Sequence, residues 1–110
     1  MKSKTLKENK NFRRLYYRGK SYATPCLVTY IMPNRLGDTR VGITSGKKIG
    51  NAVKRNRARR VIRAAFSEYE DRLDKNYDIV FVARSKTPFV KMQKVSQEMG
   101  KHFKELGVLN

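Results

Sequence analysis

Between Arg40 and Arg63, a stretch of 24 residues, the sequence holds nine lysines and arginines and no carboxylate. Within it, Gly46-Lys47-Lys48-Ile49-Gly50-Asn51-Ala52-Val53-Lys54-Arg55-Asn56-Arg57-Ala58-Arg59-Arg60 sets cations in and before the first turns of an expected helix. Free N–H groups and the macrodipole make that end of a helix positive, so each cation there costs about 0.3 to 1 kcal/mol. Phosphate oxygens remove the conflict. They accept from backbone N–H groups that neighbouring glycines leave accessible, and they pair with the arginines. The chemistry on offer is anion binding.

Bond-breaking chemistry has far less support. A nuclease needs carboxylates clustered for metal ions or a histidine placed for proton transfer. His102 is the only histidine and borders the apolar stripe of the last expected helix, which reads as a packed or half-exposed edge position. Glu68, Glu70, Asp71, Asp74 and Asp78 are close in sequence but fan around a helix end and a strand start, which reads as solvated surface with room for a weak Mg²⁺ site. No residue is assigned a catalytic role, and none a metal-ligating one.

The charge balance agrees with anion binding. Lysine and arginine number 26 against 9 aspartates and glutamates, a net +17 that a folded domain tolerates best with a polyanionic partner. At 110 residues the chain suits one domain, 1–110, with residues 1–7 expected to be flexible. No apolar run approaches the ~18 residues of a membrane span, and no hydrophobic signal core follows the charged start, so a cytoplasmic location is expected. No apolar face is offered for insertion at a membrane surface. The lone Cys26 cannot form an internal bridge and reads as a buried strand residue.

Positioning falls to a small set of elements. Asn9 or Asn11 can cap a helix to about Arg18, with Phe12, Leu15 and Tyr16 at helical spacing and Gly19 closing it. Tyr22 to Met32 reads as extended; Pro33-Asn34 and Gly37-Asp38 supply turn chemistry before a strand at Arg40 to Ser45, expected to be its antiparallel neighbour. About Asn51 to Leu73 should be one helix, with Ala58, Val61, Ile62, Ala65, Phe66, Tyr69 and Leu73 on one stripe. A rotation of about 100° per residue sets Asn56, Arg59, Arg60 and Arg63 opposite that stripe and leaves Lys54 and Arg55 flanking it. Ile79 to Ala83 is an unbroken apolar run suited to a central strand. Thr87-Pro88 should open the last helix, whose stripe of Met92, Val95, Met99, Phe103 and Leu106 ends at Gly107. The order gives an α/β layer packing of one sheet with helices.

Arg40-Val41-Gly42-Ile43, Lys47 through Val53, and Arg55-Asn56-Arg57, followed by Arg59-Arg60, Ile62-Arg63 and Phe66, resemble the signature of the bacterial ribonuclease P protein family, including its Arg-Asn-Arg motif. Phe12 with Tyr16 before Gly19, Tyr30, and Asp78-Ile79-Val80 leading to Ala83-Arg84 carry the resemblance across most of the chain. It implies an α+β two-layer sandwich of order α-β-β-β-α-β-α, ribosomal protein S5 domain 2-like. It also implies a left-handed β-α-β crossover, against the general right-handed rule.

The resemblance further implies a non-catalytic, monomeric subunit of an endoribonuclease. Its partners would be a catalytic RNA and precursor tRNA, whose 5′ leader is removed with Mg²⁺ held mainly by the RNA. Lys48, Asn51, Lys54, Arg55, Asn56, Arg57, Arg59, Arg60 and Arg63 would face the catalytic RNA. Phe12, Tyr16 and Tyr30 would line a cleft for the single-stranded leader, with Lys47 and Arg84 near its rim. Stacking on aromatics tolerates any sequence, as a variable leader requires. By spacing alone, those three aromatics fit core packing equally well. A structural RNA-binding protein of ribosomal type shares the charge, size and fold class, and leader sensitivity separates the two. Double-stranded DNA binding lacks a dimer device or a base-reading helix here.

Overall fold

Tyr77–Ala83 is the central strand of a five-stranded sheet, as its unbroken apolar run demands. The computed structural model describes residues 2–110. In chain order the elements are β1 (Lys4–Thr5), α1 (Asn9–Arg18), β2 (Lys20–Thr24), β3 (Leu27–Pro33), β4 (Arg40–Thr44), α2 (Ala52–Ser67), β5 (Tyr77–Ala83) and α3 (Met92–Leu106). Short 3-10 turns lie at Lys47–Ile49, Glu70–Arg72 and Thr87–Phe89. Apart from the short β1 at the start, this is the α-β-β-β-α-β-α order.

The sheet runs β1-β4-β5-β3-β2. β3 and β4 are therefore not neighbours, contrary to the sequence expectation: β5 enters between them, antiparallel to β3 and parallel to β4. The physical reason is burial, because β5 is apolar on both faces and only the middle of the sheet covers both. The extended segment Tyr22 to Met32 is two strands, folded back at Pro25 and Cys26 with Thr24 opposite Leu27. Cys26 is buried, but in this turn and not in a strand. Both of its backbone groups are satisfied: the N–H donates to Glu98 Oε1 at 2.9 Å and the carbonyl accepts from the Thr87 hydroxyl at 2.7 Å.

Alternation along the strands gives the sheet two different faces. Leu27, Ile31, Val41, Ile79 and Phe81 face α2 and α3. Phe66, Phe81 and Phe103 join α2, β5 and α3, with centroids 5.5, 6.3 and 6.1 Å apart; each pair adds about 0.5 to 1.5 kcal/mol beyond burial. Tyr30, Met32, Val80 and Val82 face the other way, where α1 covers only part of the sheet together with Leu6 and Leu15. Residues 4–6, expected to be part of a flexible start, instead pair with β4 and bury Leu6. Glu70 holds this segment by accepting the N–H groups of Lys2 and Ser3 at 2.9 and 2.6 Å.

Three element ends differ from the sequence reading. α1 begins after Glu8 without a side-chain cap, and Asn11 is buried inside it, accepting from Arg14. α2 stops at Ser67 and not at Leu73, giving way to the 3-10 turn that sets Tyr69 across Gly100, its hydroxyl donating to the Ser96 carbonyl at 2.8 Å. Thr87-Pro88 opens only a 3-10 turn; the chain is extended at Val90 and α3 starts after Lys91. Gly107 ends α3 at φ 69°, in the left-handed region that favours glycine.

Candidate nucleic-acid interface

Asn51 caps α2, its Oδ1 accepting the N–H of Lys54 at 3.0 Å, so that side chain has a structural task. No acid occupies the first turn. Ala58, Val61, Ile62, Ala65 and Phe66 turn inward, which leaves Asn56, Arg59, Arg60 and Arg63 exposed on the opposite side. Lys47, Lys48 and Lys54 are exposed on the approach to and first turn of the helix, and Arg55 is half-buried. Arg57 is exposed but tied through Nε to the Pro88 carbonyl at 2.8 Å; Arg59 Nη1 reaches Ser45 Oγ at 3.5 Å.

Among the described residues the ion pairs are Lys2–Asp71, Lys10–Glu8, Arg40–Asp78 and Lys94–Glu98. Arg40 thus leaves the cationic patch. Its Nε and Nη2 clasp Asp78 at 2.8 and 2.7 Å on the α1 side of the sheet. Burial pushes the Asp78 carboxyl up, and hydrogen bonds from Arg40 and Asn34 outweigh it, leaving the group below the usual carboxylate range. From Lys47 to Arg63 no cation meets a carboxylate among the described residues.

The carboxylates near the end of α2 have protein partners; Glu68, Asp71 and Asp74 lie on the exposed surface as expected, whereas Glu70 is half-buried and Asp78 buried. Glu68 accepts from Ser96, Glu70 from Lys2 and Ser3, Asp71 from Lys2 and Asp74 from Tyr77, while Asp78 is buried against Arg40. No group of three or more metal-ligating side chains converges among the described residues. Of the two positions expected for His102 the structure shows the packed one, wholly buried: its ring nitrogens meet the hydroxyls of Thr29 at 2.7 Å and Thr24 at 2.8 Å. Burial pulls its imidazole down to about 4.

The α1 face of the sheet carries a groove built from two register rows. Ser21, Tyr30, Val80 and Gly42 lie across from one another, and Ala23, Val28, Val82 and Thr44 form the next row. The far end of the Phe12 ring abuts Gly42, where a Cβ would come within 2.5 Å of its Cζ, so glycine makes room for the ring there. Tyr16 remains 43 % exposed and meets half-buried Tyr30. Asn9, Arg13 and Thr44 line the groove with Phe12 and Tyr16. β4 and β5 run parallel, so Lys47 and Arg84, both exposed, follow the same end of the sheet as Thr44 and Val82. The two sets of expected contacts thus lie on opposite faces of the sheet, joined at that end.

Four surface residues escaped the sequence reading. Tyr17 is 93 % exposed, because the spacing that turns Phe12 and Tyr16 inward turns their neighbour out. Arg13 shares the groove by the same period. Phe89 is 68 % and Val53 73 % exposed beside the start of α2. Phe89 follows Pro88 outside any apolar stripe, which was the available signal.

Comparison with known proteins extends over nearly the whole chain. The family model described as Ribonuclease P matches residues 1–107. A ribonuclease P protein component from Clostridium botulinum is 35% identical over 111 residues, covering 100% of both chains. One from Clostridioides difficile is 44% identical over 84 residues, covering 76% of this chain and 74% of its own. The solved Staphylococcus aureus RNase P protein superposes with a TM-score of 0.85 at 31% identity, over 99% of this chain and 100% of that one. The Thermotoga maritima RNase P protein does so with a TM-score of 0.77 at 25% identity, over 89% and 93%.

Proposed function

The chain belongs to the ribonuclease P protein family, and from that premise we propose that it grips the catalytic RNA with the outer face of α2 and the 5′ leader of precursor tRNA with the groove under α1. It is the protein component of a ribonucleoprotein endoribonuclease. On this reading the RNA subunit performs the cut and holds the Mg²⁺, and the protein positions both RNAs in the cytoplasm. No helix is long and apolar enough to cross a membrane among the described residues. On this chain Glu68, Glu70 and Asp78 are engaged with protein groups.

One observation carries the reading. Lys54, Arg59, Arg60 and Arg63 are exposed on α2 and Lys48 on the turn before it, and the nearby acids are paired elsewhere. Phosphates are the groups that such a surface is short of. Asn56 and Arg55 extend it, whereas Asn51 and Arg57 contribute mainly by fixing the helix start and the turn beside it. For the leader, Tyr16 and Tyr30 offer ring faces and Phe12 the groove wall, with Lys47 and Arg84 near the backbone path.

The test adds purified protein to ribonuclease P RNA at low Mg²⁺ and follows cleavage of precursor tRNA. The expected result is faster cleavage with protein and weaker substrate binding as the leader is trimmed. Stimulation that ignores the leader would assign the chain to a purely structural role.

A further inference from the structure

We propose that Phe89 is a stacking platform for an unpaired nucleobase of the catalytic RNA, with Lys54 beside it on the adjoining phosphate. This rests on the reading of α2 as the RNA-facing helix. Phe89 is 68 % exposed, and it has no aromatic partner among the described residues. A ring left in water on a mobile loop would mean little, but this one is held. Thr87 and Pro88 beneath it are buried. The Thr87 hydroxyl accepts the Arg84 N–H at 2.8 Å and donates to Cys26, and the Phe89 N–H donates to Lys86 at 3.0 Å. Arg57 clamps the same turn through the Pro88 carbonyl.

The surroundings choose the occupant. Lys54 Nζ stands 5.2 Å from the ring centroid, an ammonium over a π face. Exposed Val53 adds apolar surface one residue away, and Lys86 adds another cation. A base fits the ring while its phosphate meets Lys54, combining stacking with charge as single-stranded sites do. A second copy of this chain would set a +17 molecule against its like. Phe89 also shares a corner with the α2 cations, which selects the catalytic RNA over the leader.

Phe89→Ala, Phe89→Leu and Phe89→Tyr, checked for unchanged melting, would be titrated with ribonuclease P RNA at several salt concentrations. Loss of one stacked base should weaken binding roughly tenfold in the alanine and leucine variants, with tyrosine near wild type. The salt slope should not change, since stacking releases no counterion, whereas Arg60→Ala on the same RNA should flatten it by about one unit. Wild-type affinity in Phe89→Leu overturns the proposal, as does a loss that comes with a flatter slope. A loss seen only with leader-bearing substrate, or a changed sedimentation coefficient of the free protein, overturns it too by assigning the ring to the leader or to a second copy. Failure of Arg60→Ala would instead bring down the reading of α2 itself, so the two failures are distinct.

Discussion

Tyr16 of α1 and Tyr30 of β3 meet edge to face, ring centroids 4.9 Å apart and planes at 77°. The contact joins a helix to the sheet face it only partly covers, so it fixes the width of the groove as well as lining it. An edge-to-face pair contributes about 0.5 to 1.5 kcal/mol beyond burial, enough to hold the wall but not to close the space beside it.

Tyr16→Ala should lower affinity for leader-bearing substrate by roughly 1 to 3 kcal/mol, the range for one stacked base, and leave binding to the catalytic RNA nearly unchanged. Dissociation constants for precursors with full and trimmed leaders check this. An equal drop for both would mean that the fold, not the groove, had been damaged.

Arg60→Ala combined with Arg63→Ala should weaken catalytic RNA binding and flatten its salt dependence by about two units, one for each lost phosphate contact. Arg57→Ala should behave differently, because its Nε holds Pro88: stability falls by about 1 kcal/mol and melting moves down with it. Matched salt titrations and thermal melts separate the two kinds of arginine.

The pH dependence of stability should have a histidine part. His102 lies at about 4 in the fold against an ordinary 6.5, so as pH falls the unfolded chain takes up the proton first. The resulting stability is present above about pH 6.5 and is lost between there and pH 4, amounting to about 2 kcal/mol between pH 7 and pH 5. Asp78, Glu70 and Glu98, all held low, add losses only at the acid end. Denaturant titrations of wild type and His102→Gln at pH 7 and 5 test it; an undiminished difference in the variant would refute the assignment.

Gly42→Ala should force Phe12 from its place over β4, with an overpacking cost of about 1 to 3 kcal/mol and a weaker leader effect. Denaturation midpoints report the first, and leader-length series the second.

The sequence shows clearly what local chemistry decides. The stripe from Ala58 to Phe66 specified the inner face of α2, and so its cationic outer face; the run Ile79 to Ala83 specified the central strand. Pairing was less accessible, because the turn residues between Pro33 and Asp38 suit a hairpin that a distant strand then splits. Pro25 hid a real hairpin inside a run of strand-forming residues. On the candidate site, exposure separates Tyr16 from Phe12, a difference that spacing does not encode but the tyrosine hydroxyl, which favours a wet edge, does. The packing of His102 was legible, but its partners Thr24 and Thr29 were not, and Asp78 reads as surface from sequence, because Arg40, like those threonines, comes from a remote segment.

The strand at the middle of the sheet is the last of the five to leave the ribosome. Until residues 77–83 emerge, β3 and β4 have no common partner, and each keeps a bare hydrogen-bonding edge. A growing chain therefore spends much of its synthesis as an open half-sheet, already carrying the arginines of α2, and polyanions in the cell can meet that helix before the core beneath it has closed.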